Sequence, residues 1–138
     1  MNAIDITQTW QPLTPILQNL LPGLLAVYAF GSRINGTTTP ESDLDLAVLM
    51  AGKADPVVLW NVADTLAEQT KCPVDLIDLR NASTIMQYQI IITGQRLWQA
   101  DHQAGLFEAM ILSEKTTLDE ARAPLLAIIE KEGTIHGR

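Results

Sequence analysis

The sequence predicts a mixed α/β (α+β) domain: a small mixed sheet of three to four strands packed with helices, followed by a helical C-terminal region. Apolar residues recur at helical spacing near the start of the chain and again after residue 101. Between them lie three short apolar runs bounded by turn residues, at residues 24–30, 43–50 and 73–79. The two-residue period of strands thus alternates with the longer period of helices, which is the pattern of a sheet covered by helices.

The first helix falls over residues 7–21, where Leu13, Ile16, Leu17, Leu20 and Leu21 share a face, and Pro22-Gly23 ends it. The uninterrupted apolar run Leu24–Phe30 reads as a buried strand. Residues 31–42 are polar, with Gly36, three threonines and Pro40, and form a loop. The second strand, residues 43–50, divides cleanly by its two-residue period. Leu44, Leu46, Val48 and Met50 take one face; Asp43, Asp45, Ala47 and Leu49 take the other. Two carboxylates therefore project together from the start of a strand whose opposite face is wholly apolar.

Asp55 and Pro56 are an N-cap and a first helical residue, opening a helix that runs to about residue 70. The segment VDLIDL within residues 73–79 is a third strand. A helix over residues 81–93 is closed by Gly94, and residues 96–100 make a short fourth strand. From residue 101 to 132 the pattern is helical, with a break expected near Thr116-Thr117 or at Pro124. No linker divides the chain. The expectation is one domain over residues 1–138, with a motif-bearing core at about 24–100 and a helical region at about 101–133.

Composition narrows the function. Hydrophobic residues at 47% and charged residues at 18% describe a globular chain and exclude disorder. The net charge is −7, and the nine Lys and Arg are scattered, so a basic face for binding nucleic acid through its phosphates is not expected. Cys72 is the single cysteine, which rules out an intrachain disulfide and fits a reducing compartment. No signal peptide is expected, and the longest apolar run, seven residues, is far short of a membrane span. A cytoplasmic location is the expectation. His102 and His136 lack metal-ligand spacing. Neither a Walker-type nor a G-x-G-x-x-G motif is present, which removes the P-loop and Rossmann readings.

The informative stretch is YAFGSRINGTTTPESDLDL, residues 28–46. A strand delivers Gly31-Ser32, ten residues follow, and Asp43 and Asp45 then stand two apart on the next strand. Gly31 has no Cβ and lets the backbone approach a phosphate closely. The Ser32 hydroxyl can donate to a phosphate oxygen. Asp43 and Asp45, on one face, can reach one metal site, and Mg²⁺ takes one or two carboxylates per ion beside substrate phosphates. Two such ions can stabilise the attacking and leaving oxygens of an in-line displacement. Alone, an Asp-x-Asp is a solvated strand edge and a Gly-Ser is a turn; together, on successive strands at this spacing, they point to metal-assisted chemistry on a bound phosphate.

These residues resemble the DNA polymerase β-like nucleotidyltransferase superfamily, whose signature is GS-x(10)-DxD. Arg33, Gly36, Pro40 and Ser42 also match the fuller form GSRxxGxxxPxSDxDL. The small size is similar to the minimal nucleotidyltransferases, and the whole is similar to the MntA-type antitoxins paired with HEPN-domain toxins. The likeness runs from residue 28 to about residue 100, through VDLIDL and GQRLW, and the last third of the chain carries no matching motif.

The resemblance implies that Gly31, Ser32 and Arg33 bind the nucleotide, that Asp43 and Asp45 hold Mg²⁺, and that a third carboxylate from a neighbouring strand supports the metal and activates the acceptor hydroxyl. Asp75 and Asp78 are the candidates; Asp75 matches the family's VDL segment, and Asp78 is better placed to cap the following helix. It also implies transfer of AMP from ATP to a tyrosine of a cognate HEPN ribonuclease toxin, silencing it. The sequence is compatible with a homo-oligomer or a hetero-complex. Two alternatives stay open: an antitoxin that acts by non-covalent occlusion with a vestigial nucleotide site, and a small-molecule nucleotidyltransferase of the aminoglycoside-modifying kind.

Overall fold

The computed structural model describes residues 12–31 and 43–135. The expected loop that carries Ser32, Arg33, Gly36, Pro40 and Ser42, and the expected beginning of the first helix, lie outside these residues. In chain order the described elements are α1 (Leu13–Leu20), β1 (Leu24–Phe30), β2 (Leu44–Met50), α2 (Pro56–Thr70), β3 (Val74–Asp78), a 3₁₀ turn (Leu79–Asn81), α3 (Thr84–Thr93), β4 (Gln95–Gln99) and α4 (Gln103–Ile135).

The strands form one four-stranded sheet in the order β3-β2-β1-β4. β1 pairs antiparallel with β2 and with β4, and β2 pairs parallel with β3. The parallel pair requires a crossover, which α2 supplies. The central strands are buried on both faces: Leu44, Leu46, Val48 and Leu49 of β2 are fully inaccessible. That is why these strands read as continuous apolar runs.

The two faces carry separate cores. On one, α1 and α2 pack through Leu17, Leu59, Val62 and Leu66 against Val27, Ala29, Leu44, Leu46 and Val48. On the other, α3 and α4 pack through Ile90, Ala104, Phe107 and Ile111 against Tyr28, Ala47 and Leu49. The division of β2 into its two faces is the one its sequence period dictates. In β1 the register shifts between Leu24 and Ala26, so that Leu25 and Ala26 both belong to the second core. One extra residue in one strand is a β-bulge, and a period-of-two reading misses it.

Local signals place the ends of the elements. The Asp55 side chain accepts from Val57 N at 2.9 Å and Pro56 opens α2. The Ser83 side chain accepts from Met86 N at 3.1 Å at the start of α3, two to three residues later than the expected start, because a 3₁₀ turn intervenes. The expected break in the last helix does not occur. α4 runs unbroken for 33 residues with Pro124 inside it. A proline there forfeits one backbone hydrogen bond, but the turns on either side continue. Thr116 stays in register by donating its hydroxyl to Leu112 O at 2.9 Å.

Candidate active site

The site lies at the end of the sheet where β1 finishes and β2 and β3 begin. Phe30 pairs with Asp45 across the antiparallel ladder, and Asp45 pairs with Asp75 across the parallel one. Neighbouring strands are about 4.8 Å apart, so the register sets the two carboxylate-bearing residues side by side. Asp43 is exposed immediately before β2, two residues from Asp45 and on the same side by strand alternation. Asp45 is partly buried, on the face that carries Ala47 and Leu49.

Gly31 follows β1 with φ +87°, a conformation that side chains of L-residues rarely adopt. A Cβ placed on it would collide with the Asp45 carboxylate at Oδ2. The glycine is therefore required twice, by its backbone angle and by the acidic group lying against it. Gly31 and Asp45, distant by spacing, meet here through the β1–β2 ladder.

Electrostatics reports the same proximity. Burial, then the charge of Asp75, then that of Asp43, raise the Asp45 pKa above its ordinary value. Three carboxylates thus share one field, and a cation placed among them relieves it. Among the described residues, no group of three or more His, Cys, Asp or Glu is gathered into a metal-holding cluster. Mg²⁺ does not need one, since it is held by one or two carboxylates with phosphates and water completing its shell. The chemistry of the donor set therefore fits a divalent cation bound together with a nucleotide.

Asp78, the other candidate, stands opposite Val48, three ladder steps from the pairing of Asp45 with Asp75. Its carboxylate is occupied elsewhere: Oδ1 accepts from Arg80 N at 3.1 Å to cap the 3₁₀ turn, and Oδ2 accepts from Ala54 N at 3.3 Å. Asp75, by contrast, is exposed. Ser32 and Arg33 lie outside the described residues, so their placement against the acidic group is not described.

Sequence reasoning missed the polar link behind the site. Tyr28, on the strand that leads to Gly31 and facing the second core, donates its hydroxyl to Glu108 Oε2 of α4 at 2.6 Å. The same oxygen receives Arg96 of β4 at 2.6 Å. Burial and the adjacent Glu108 carboxylate hold the Tyr28 hydroxyl well above the usual tyrosine range, so it remains a proton donor. These partners are 80 residues apart in the chain, and no local pattern announces them. The only hint was Tyr28, a residue with a polar tip inside the otherwise apolar run of β1.

A four-stranded sheet that brings a left-handed glycine, an acidic pair and a third carboxylate to one edge defines a nucleotidyltransferase. Residues 11–103 match the family described as Polymerase beta, Nucleotidyltransferase, and the chain belongs to it. It is 35% identical over 111 residues to the protein adenylyltransferase MntA of Shewanella oneidensis, covering 80% of each chain. It superposes with a TM-score of 0.76 on a chain in a crystal structure of a toxin–antitoxin with AMP-PNP, at 31% identity, covering 90% of this chain and 98% of that one. A chain in the structure of the tri-AMPylated Shewanella oneidensis HEPN toxin in complex with MNT antitoxin matches at TM-score 0.72 and 30% identity, covering 90% and 98%. Among the described residues no helix is long and apolar enough to cross a membrane.

Proposed function

We propose that this chain is a cytoplasmic antitoxin that transfers AMP from ATP to a tyrosine of a cognate HEPN ribonuclease toxin. The observation that carries the reading is the meeting of Gly31 with Asp45, and of Asp45 with Asp75, at one end of the sheet. The similarity to an adenylyltransferase and to antitoxin chains crystallised with a toxin supports the choice of a protein acceptor over an aminoglycoside-like one.

In this reading Asp43 and Asp45 would hold Mg²⁺, with Asp75 beside them, and Gly31, Ser32 and Arg33 would cradle the triphosphate. Bound Mg²⁺ neutralises charge on the phosphates and on the leaving group. The acceptor hydroxyl attacks the α-phosphorus in line. A new O–P bond forms, the bond from the α-phosphorus to the bridging oxygen breaks, and pyrophosphate leaves. Asp75 accepts the hydroxyl proton. Gly31 provides close approach without a Cβ, and the fixed strand register holds attacking group and phosphate in place, which is the main contribution a protein makes to such a transfer.

The test is transfer of labelled AMP from ATP to the co-expressed product of the adjacent reading frame, with and without Mg²⁺. The expected result is a toxin whose mass rises by one or more AMP units, and no transfer by the combined Asp43→Ala and Asp45→Ala variant. Undiminished labelling by that variant rejects the mechanism. Neutralisation that persists without ATP and leaves the toxin's mass unchanged assigns the chain to occlusion.

A further inference from the structure

β3 ends the sheet, so its outer side has no strand neighbour among the described residues. Leu44 N donates to Pro73 O at 2.9 Å, which fixes the alternation of the parallel ladder. The backbone groups of Asp75 turn to β2, and those of Val74 and Leu76 turn outward. An unprotected edge of this kind is a template for another strand.

A cleft of about 260 Å³ runs along this edge beneath α2, lined by Pro56, Trp60, Asp64 and the consecutive residues Val74, Asp75 and Leu76. Its volume is below the range of small-molecule clefts and suits one side chain with a short stretch of backbone. Trp60 stands over it with 72% of its surface exposed. Tryptophan is among the residues that most often anchor interfaces. Both charged residues in the lining, Asp64 and Asp75, are acidic, and α2 carries no Lys or Arg. A second copy of this chain on the same edge would bring these carboxylates against their equals, which charge repulsion opposes. A basic segment meets opposite charge.

We infer that the outer edge of β3 and the Trp60 cleft receive the acceptor protein, which adds an extended basic segment as a strand and thereby delivers its hydroxyl to Asp75. The inference rests on the transferase reading above and specifies how that site holds its second substrate. Strand addition supplies backbone hydrogen bonds for affinity, and the cleft selects a side chain. Asp75 lies in the lining of the cleft but turns its side chain, by strand alternation, to the opposite face beside Asp45, so a strand added at this edge presents one side chain to the cleft and its neighbour to the acidic group.

The experiment uses the full chain with the toxin encoded beside it. AMP transfer is measured at varied toxin and saturating ATP for the wild type, Trp60→Ala, Trp60→Phe and Asp64→Lys. AMP-PNP binding and amide hydrogen exchange at Val74 and Leu76 are followed in parallel. The expected result is a rise of about tenfold in the KM for toxin with Trp60→Ala and with Asp64→Lys. Trp60→Phe recovers most of the loss, AMP-PNP affinity holds, and the two amides slow when toxin is added. An unchanged KM for toxin in both Trp60→Ala and Asp64→Lys, or unprotected amides, overturns the inference. So does a dimer of this chain that Trp60→Ala disperses. If the wild type binds toxin and AMP-PNP but transfers nothing, the transferase reading fails, while amide protection still decides whether the edge is the docking site.

Discussion

Gly31 and Asp45 are packed so closely that each constrains the other. Replacing Gly31 by alanine imposes a positive φ on a residue with a Cβ, at a cost of about 1–2 kcal/mol, and pushes the Asp45 carboxylate aside. Displacement of a positioning group by about an ångström costs on the order of 100-fold in rate. Gly31→Ala is therefore expected to fold with a lowered Tm and to lose AMP transfer by about that factor. A variant with wild-type rate would show that Asp45 needs no fixed position. Asp45 itself is a source of instability. Burial, Asp75 and Asp43 raise its pKa above the ordinary 3.8, so the folded chain disfavours its charge relative to the unfolded chain. Asp45→Asn should stabilise the ligand-free protein at neutral pH, by on the order of 0.5 kcal/mol because water reaches the group and screens it. That gain should shrink as pH falls through the raised pKa and vanish below 3.8, where the wild-type carboxyl is protonated in both states. Urea unfolding of both proteins across that range measures it; a gain independent of pH would put the cause elsewhere than in this charge.

At the scale of elements, β1 and α4 are joined through the Tyr28 hydroxyl, and the energetics of that link can be ranked. The Arg96–Glu108 pair is a third to a quarter exposed and contributes little. Tyr28 is 2% exposed, so its hydroxyl depends on Glu108. Tyr28→Phe leaves Glu108 paired with Arg96 and should cost about 1 kcal/mol. Glu108→Ala strips a buried hydroxyl of its carboxylate partner and should cost more, up to about 3 kcal/mol. Denaturant unfolding that found Arg96→Ala the most damaging of the three would reverse this ranking. The link also marks where the sequence becomes unreadable. The faces of β2, the cap at Asp55 and the spacing from Gly31 to Asp45 are properties of neighbours in the chain, and periodicity exposes them. The bulge at Leu25, the unbroken passage of α4 through Pro124 and the Glu108 partner of Tyr28 depend on contacts between distant segments. The choice between Asp75 and Asp78 lay between these cases. Their spacing of three set them on opposite faces, but only the β2–β3 register shows Asp75 beside Asp45 and Asp78 spent on backbone amides.

Taken whole, the molecule holds a net charge of −7 and gathers three of its carboxylates at one end of its sheet. Such a site is poorly satisfied when empty, because the register sets Asp45 and Asp75 side by side and burial limits how far water can screen Asp45. The folded chain should therefore gain stability from ligands that carry positive charge into that end, and ATP alone, an anion, should do little. Ligand binding to the folded state adds about 2.7 kcal/mol at a hundredfold excess over Kd. Mg²⁺ with AMP-PNP is expected to raise the Tm of the wild type markedly and AMP-PNP with a chelator scarcely at all. The variant carrying both Asp43→Asn and Asp45→Asn should lose most of that response while starting from an equal or higher ligand-free Tm. The opposite order, a strong shift with AMP-PNP and chelator that survives in the double variant, would mean that the nucleotide is held without a cation and that the acidic edge has another purpose. Because the experiment reads stability and needs no acceptor, it separates the assembly of the nucleotide site from the identity of the protein it modifies.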